Sequence, residues 1–207
     1  TRTQGPPTPV NLGARVGAFA STVLRERGHE VDVVDPLVED LPLLRRPHFA
    51  YPKSAVPQKL DELAGRLRAA DAYVMCTCEY NHAPSPALLN LLAHFGSSIF
   101  SFKPSAIVSY SAGQWGGTRA AVSLRTVLSE LGCIPVSAMI HVPKAQEALD
   151  ASGVPLADEE RWKGYASRTV SQLEWWGGAA KAHRLVVDPT EGSPAFRSSP
   201  EQRNAVE

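Results

Sequence analysis

Residues 72–95, AYVMCTCEYNHAPSPALLNLLAHF, decide how the rest of the chain is interpreted. Residues 72–77 form an apolar run with the length of a buried strand. A polar turn follows at residues 78–82, and beyond Pro84 and Pro86 apolar residues recur at helical spacing. In open α/β sheets such a unit builds part of the ligand site, because ligands bind outside the carboxyl ends of the strands. The pattern alone is equally consistent with an ordinary crossover.

The other segments alternate between helical and β-like patterns. Apolar residues at helical spacing predict four further helices, over residues 12–24, 56–67, 118–131 and 158–176. A β-like segment over residues 31–35 and short apolar runs over residues 104–110 and 133–140 predict further strands. Pro135 lies near the start of the last one, which is typical of an edge strand. The sequence therefore predicts an α/β fold in which a parallel sheet lies between layers of helices.

Length and composition limit the class of protein. The chain has 207 residues, which predicts a single domain over residues 1–186, and the polar residues 187–207 are expected to be a disordered tail. Lys plus Arg equal Asp plus Glu at 21 each, so no nucleic-acid partner is expected. Apolar runs are too short to span a membrane, so no membrane partner is expected either.

The three cysteines argue against a disulfide framework, because their number is odd and two are separated by a single residue. They favour a reducing, cytoplasmic setting. Cys76 and Cys78 have no second Cys/His cluster at ligand spacing, so no metal site is predicted.

Residues 77–82, TCEYNH, resemble the Pro-Glu-Tyr-Asn loop of the NADPH-dependent FMN reductase family. These are flavodoxin-like quinone, chromate and azo-dye reductases, so the resemblance implies a parallel sheet of order 2-1-3-4-5. Cys78 and Leu89 stand where that family commonly has Pro and Lys.

In the family, the backbone of this loop runs along the edge of the flavin ring. The resemblance implies that N–H groups of the loop stabilise reduced flavin and that Tyr80 walls the ring. Asn81 either donates to a ring carbonyl or fastens the loop as an Asx turn. The implied FMN-binding residues of this loop are Cys78, Glu79, Tyr80 and Asn81.

A glycine-rich stretch, residues 110–119 (YSAGQWGGTR), follows the next predicted strand and resembles the second flavin-side loop of the family. Glycine lets the backbone approach a flat ligand closely, although a plain glycine-rich turn fits as well. By the resemblance, Tyr110 and Ser111 face the flavin. The residues implied on the NAD(P)H and substrate side are Trp115, Gly116, Gly117 and Arg119, with Trp115 either stacking on substrate or packing at a subunit contact.

Residues 1–9 are polar and lead into the first predicted helix without a preceding strand. The family has an apolar strand there that ends in Gly-Ser-x-Arg, and Thr1-Arg2 match the last two positions. The resemblance implies that the first strand is absent from this sequence and that Arg2, Val10 and Asn11 hold the FMN phosphate. A helix N-terminus and a guanidinium both favour an anion. Without the family, Arg2 is interpreted as a solvated terminal residue.

Two further features leave alternatives open. Residues 36–57 are Pro-rich and irregular, and a loop of this length covers a ring-shaped ligand, contacts another subunit or is a surface excursion. His141 follows the last predicted strand and either approaches a substrate or is an ordinary surface residue.

The leading functional hypothesis is an FMN-dependent oxidoreductase that passes electrons from NADPH or NADH through FMN to a quinone or similar small acceptor. Family resemblance implies a homodimer or homotetramer. No catalytic side chain is predicted, because the flavin carries the chemistry, and no Gly-x-Ser-x-Gly elbow of a hydrolase occurs. The competing hypothesis is a non-catalytic flavin or nucleotide binder of the same fold with a regulatory role, which Cys78, Leu89 and the missing first strand favour.

Overall fold

The computed structural model of the protein describes residues 11–189 and 191. The helices are α1 (Leu12–Glu26), α2 (Pro36–Glu39), α3 (Gln58–Ala69), α4 (Pro86–Ala93), α5 (Ser97–Phe100), α6 (Thr118–Glu130), α7 (Ala145–Ala148) and α8 (Glu159–Arg184). The strands are β1 (Tyr73–Tyr80), β2 (Ala83–Pro84), β3 (Ser105–Tyr110) and β4 (Ile140–Val142). Two single-turn 3₁₀ helices, His48–Ala50 and Lys53–Ala55, lie between α2 and α3.

The described strands form one sheet of order β2-β1-β3-β4. β1 is parallel to β3, with Cys78 opposite Tyr110, and β3 is parallel to β4, with Ser109 opposite His141. β2 is antiparallel to the end of β1. The predicted parallel sheet is confirmed, and β4 lies at its edge, as Pro135 indicated.

Helices cover both faces of the sheet, and alternate strand residues point to opposite faces. On one face, α3, α4 and α6 bury Leu63, Leu92 and Leu124 against Ile107. On the other face, α1 and α8 pack on Val108. This two-faced burial explains why β3 is an almost continuous apolar run.

The predicted helices are confirmed, with one difference in length. α8 extends beyond residue 176 to Arg184, through Gly177 and Gly178, where helical spacing of apolar residues is lost. Gly177 is buried, and a methyl group at its position would lie in ordinary contact with Ala72 and Pro104. The two glycines therefore continue the helix close to the sheet instead of ending it.

The strand predicted over residues 31–35 is wrong, because no ladder pairs with it in the part of the chain that the structure describes. Side chains hold this segment instead. The Arg66 guanidinium donates to both carboxylate oxygens of Asp32, at 2.9 and 2.7 Å, and to the Val33 carbonyl at 3.3 Å. It also donates to Glu39 at 2.6 Å, which joins the segment to α2.

The last predicted strand exists but not over residues 133–140, since β4 covers only Ile140–Val142. Pro135 makes an isolated bridge with Ser105, and the Ala138 N–H donates to the Gln172 side chain of α8 at 3.0 Å. The backbone of this segment is therefore satisfied by single contacts rather than by a ladder.

Residues 36–57 form α2, the two 3₁₀ turns and connecting loops. The segment contacts the end of α4, where the His48 N–H donates to the His94 carbonyl at 2.7 Å and the Leu44 N–H donates to the Asn90 side chain at 2.9 Å. Among the described residues, no helix is long and apolar enough to span a membrane.

Candidate functional site

The two loops predicted to hold the flavin lie side by side at the carboxyl edge of the sheet. Cys78 is paired with Tyr110 across β1 and β3, and Tyr80 follows two residues later. The sequence required these two tyrosines to lie at one end of the molecule, and the structure places them there.

The first loop is tighter than the predicted turn over residues 78–82, because β1 continues to Tyr80 and pairs with β2. The turn itself consists of Asn81 and His82, at φ of 51° and 63°. Two left-handed residues are what a two-residue hairpin needs to match the twist of its strands. The turn leaves Tyr80 61% exposed at the edge of the sheet.

An ion pair between Glu79 and Arg119 joins the two loops. The Glu79 side chain is 8% exposed and lies 2.5 Å from the Arg119 guanidinium. Glu79 also accepts from the Arg119 N–H at 3.1 Å and from the Ala120 N–H at 3.3 Å, at the start of α6. Burial raises the pKa of Glu79, but the guanidinium and the N–H groups outweigh it and hold this pKa below its usual value. The carboxylate is therefore ionised and clamps the hairpin to α6.

This clamp was not predicted from the sequence. The resemblance placed the Glu79 backbone on the flavin and Arg119 on the NAD(P)H side, and said nothing of their side chains meeting. The available signal was a carboxylate directly after one strand and an arginine in the first turn of the helix after the next strand.

Tyr110 lies on the α1 side of the sheet, with its ring packed in the cluster around Val108. Its hydroxyl is so close to Gly13 that a methyl group there would lie 2.6 Å away. Asn11 caps the same helix end by accepting from the Gly13 N–H at 2.9 Å. Burial and the neighbouring Cys78 thiol raise the pKa of Tyr110, so the phenol stays protonated. Tyr110 thus extends from the β3 loop to the first turn of α1.

Two hydrogen bonds to the Gly113 carbonyl hold the second loop, residues 110–119. Ser111 donates to the Gly113 carbonyl at 2.9 Å, and the Lys144 N–H donates to the same carbonyl at 2.9 Å. Ser111 therefore turns its hydroxyl into its own loop. Trp115 projects outward and is 61% exposed.

Gly116 and Gly117 have φ of 59° and 74°, a region that favours glycine. A methyl group at Gly117 would lie 2.8 Å from the Tyr110 carbonyl oxygen, so this turn requires glycine for space as well as for conformation. The turn presses the start of α6 directly onto the end of β3.

Ser109 and His141 support this turn. The Ser109 hydroxyl donates to the Gly116 carbonyl at 2.7 Å and lies 2.7 Å from His141 Nδ1. His141 is half-buried, and burial lowers its pKa. The sequence analysis singled out His141 but missed Ser109. The available signal was a polar residue near the carboxyl end of an apolar strand.

Some predicted site residues are not placed. Arg2 and Val10 lie outside the described residues, as does most of the predicted tail over residues 187–207. Within the described ranges, no group of three or more His, Cys, Asp or Glu side chains is arranged to hold a metal ion. Cys76, Cys78 and Cys133 are free thiols.

The edge between the loops fits the rim of a planar cofactor. Two exposed aromatic rings, of Tyr80 and Trp115, stand on the two loops. Gly117, two residues after Trp115, is buried, and its N–H group has no hydrogen-bond partner in residues 11–189 or 191. Gly117 is the N-cap of α6, and an N–H group at the start of a helix is free to donate to a ligand. The residues present therefore fit FMN.

Comparison with known proteins agrees with this fit. The family model for NADPH-dependent FMN reductase matches residues 9–147. An NAD(P)H-dependent FMN reductase of Pseudomonas aeruginosa is 31% identical over 157 residues, covering 71% of this chain and 82% of the relative. An NADPH azoreductase of a Bacillus species is 37% identical over 100 residues, covering 48% of this chain and 54% of the relative.

A solved structure shows the same fold. FerB, a flavoenzyme NAD(P)H:(acceptor) oxidoreductase from Paracoccus denitrificans, superposes with a TM-score of 0.65 at 20% identity. The match covers 83% of this chain and 93% of FerB. The predicted flavodoxin-like fold is thereby confirmed.

The chain belongs to the NADPH-dependent FMN reductase family. It is an oxidoreductase that depends on FMN and NAD(P)H, as the sequence predicted, and this family acts on small acceptors.

Proposed function

We propose that FMN binds at the carboxyl edge between the hairpin of residues 78–84 and the loop of residues 110–119, and that a quinone or similar flat molecule accepts the electrons. The pairing of Cys78 with Tyr110 carries this proposal, because it brings the two loops to one edge of the sheet. The Glu79–Arg119 clamp supports it, since the clamp fixes the distance between the loops.

Each loop has a separate task in this proposal. Tyr80 walls one side of the ring, and the backbone of residues 79–81 supplies N–H groups to its rim. Gly116 and Gly117 admit the ring from the other loop. Trp115, exposed on the outer side, stacks on the nicotinamide nucleotide or the acceptor that takes its place.

The phosphate end of FMN is proposed to lie at the start of α1. Arg2, Val10 and Asn11 belong to this end, and the Tyr110 hydroxyl reaches it from β3. Bound FMN supplies the transfer of electrons, and the chain supplies position, exclusion of water and hydrogen-bond donors.

Absorbance spectroscopy of the purified protein tests this function. We expect a yellow protein, or one made yellow by FMN, that is bleached by NADPH or NADH and recovers its colour when a quinone is added. A yellow protein that neither nucleotide bleaches supports the non-catalytic binder instead. A colourless protein that FMN does not reconstitute refutes both.

Acceptor class is tested by a matched pair of variants. Trp115→Ala is expected to weaken turnover of flat quinones about tenfold, the loss expected from removing one stacking contact. Trp175→Ala is the control, because Trp175 is equally exposed, at 65%, but lies on the outer surface of α8. Equal activities of the two variants contradict the role of Trp115.

We also propose that residues 1–186 act as one domain in a cytoplasmic homodimer or homotetramer. Three exposed apolar side chains close in sequence support assembly, since Leu37, Val38 and Leu43 are 71%, 75% and 82% exposed. Light scattering should show an oligomer that Leu37→Glu with Val38→Glu dissociates. A wild-type monomer would contradict this assembly.

A further inference from the structure

In the peptide bond between Gly116 and Gly117, the carbonyl is hydrogen-bonded within the described residues and the N–H is not. Its carbonyl, from Gly116, points inward and accepts from the Ser109 hydroxyl at 2.7 Å. Its N–H, from Gly117, has no hydrogen-bond partner in the described ranges of the chain. None of the described peptide bonds is cis, and in a planar trans peptide the C=O and N–H point in opposite directions. A carbonyl that points at the buried Ser109 therefore turns the Gly117 N–H away from Ser109.

Ser109 fixes that orientation from inside the protein. It is fully buried, so its hydroxyl has no water to bond with and must use the groups around it. A serine hydroxyl has one hydrogen, and here that hydrogen goes to the Gly116 carbonyl. Any second close polar group must therefore donate to Ser109.

His141 is that second group, with its Nδ1 atom at 2.7 Å from the Ser109 oxygen. Because the Ser109 hydrogen is already used, Nδ1 carries a proton and donates. With Nδ1 unprotonated, the ring would attract the serine hydrogen and release the Gly116 carbonyl. The backbone of His141 is itself fixed, since its N–H donates to the Tyr165 hydroxyl at 3.0 Å.

We propose that Ser109 and His141 are positioning residues, which hold the Gly116–Gly117 peptide so that the Gly117 N–H donates to the bound cofactor. This inference rests on the proposed function. Neither side chain is proposed to touch FMN, and both act through the peptide.

The test measures FMN binding and the Gly117 amide, and neither readout needs turnover. FMN affinity is followed by quenching of flavin fluorescence, and the Gly117 amide proton by NMR in ¹⁵N-labelled protein. In the wild type, FMN should move that proton downfield, as expected for a new hydrogen bond. His141→Phe and Ser109→Ala should each weaken FMN binding about tenfold, roughly the contribution of one net hydrogen bond, and abolish the shift.

Two controls separate positioning from general damage. His141→Asn keeps an N–H donor close to the position of Nδ1, so it should restore FMN affinity to within about twofold of wild type. Ser105→Ala removes another fully buried hydroxyl of β3, which donates to the Cys133 carbonyl at 2.7 Å at the opposite end of the strand. It should lower stability but leave FMN affinity unchanged.

The possible failures are distinguishable. A wild type that binds no FMN refutes the proposed function itself. A wild type that binds FMN while His141→Phe binds it equally well, or a Gly117 amide that does not respond, refutes only the positioning role. If Ser109→Ala does not fold, the comparison of His141→Phe with His141→Asn still decides, and equal weakening by these two variants refutes the role.

Discussion

The two ends of β3 each carry a fully buried serine, but the polar groups around them are satisfied to different degrees. At the amino end, Ser105 donates to the Cys133 carbonyl, and the nearby Lys103 amine donates to the Arg68 carbonyl at 2.6 Å. The Tyr73 hydroxyl donates to the Leu67 carbonyl at 2.8 Å and lies 3.2 Å from Lys103. The polar side chains of this cluster therefore each donate a hydrogen bond to another group of the protein.

At the carboxyl end, the hydrogen bonds around Ser109 do not include the Gly117 N–H. Ser109 satisfies the Gly116 carbonyl, whereas the Gly117 N–H has no acceptor among the residues that the structure describes. Both serines are fully buried, so their burial alone does not distinguish a structural end from a binding end. The difference is a helix N-cap N–H that has no acceptor among the described residues.

Gly117→Ala should produce the largest effect. Its methyl group would meet the Tyr110 carbonyl oxygen at 2.8 Å in a left-handed conformation, so the turn must move. We expect a loss of about 2–3 kcal/mol in the free energy of unfolding and about 100-fold in FMN affinity. Urea unfolding and fluorescence titration measure the two quantities.

Gly113→Ala is the matched control for that turn. It lies in the same loop, but a methyl group there would have no neighbour within 4 Å. Its unfolding free energy should change by less than about 0.5 kcal/mol. If both alanine variants bind FMN like the wild type, the carboxyl end is not the binding end.

Glu79→Ala should have the next largest effect. It removes the clamp and leaves two N–H groups at the start of α6 without their acceptor. We expect the free energy of unfolding to fall by about 2 kcal/mol, which is less than for a fully buried pair because the Arg119 side chain is 45% exposed. FMN affinity should fall as well, since the loops separate. Glu147→Gln, on the exposed Lys144 pair, should change neither quantity, and equal effects would argue against the clamp.

Lys103→Met tests the amino end through the pH dependence of stability. Burial, together with the positive charge of Arg184, lowers the Lys103 pKa to about 8, against 10.5 ordinarily. Between these values the unfolded chain binds more protons, so Lys103 makes wild-type stability rise with pH. Between about pH 8 and 9, the free energy of unfolding of the wild type should rise by about 1 kcal/mol relative to that of the variant, measured by urea unfolding. A constant difference would contradict this, and FMN affinity should be the same in both proteins.

The comparison also shows what the sequence predicts well. Residues 72–95 specify a strand, a turn and a helix through contacts that are local, so their placement was predicted correctly. The two site loops came together because parallel strands align their carboxyl ends, a rule that needs no side-chain detail.

Pairing between distant segments is what the sequence did not predict. The apolar alternation of residues 31–35 is typical of a strand, but a strand also needs a partner, and here Arg66 supplies side-chain bonds instead. The contact of Ser109 with His141 depends on the register of β3 and β4, which sets two residues 32 positions apart opposite each other. Nothing in either local pattern encodes that register.

Removing one hydroxyl at each end of the sheet should change a different property at each end. Tyr73→Phe deletes a group that donates to a buried carbonyl and contacts Lys103, so it should cost about 1–2 kcal/mol in urea unfolding without changing FMN affinity. Tyr110→Phe deletes a hydroxyl directed at the first turn of α1. It should weaken FMN binding by roughly three- to tenfold, the value of a single hydrogen bond, while stability changes by less than about 1 kcal/mol. Riboflavin lacks the phosphate, and the Tyr110 hydroxyl is proposed to contact the phosphate end of FMN. Riboflavin should therefore bind the wild type and Tyr110→Phe equally well. If the two substitutions exchange their effects, the amino end is the binding end and the assignment of the two ends is reversed.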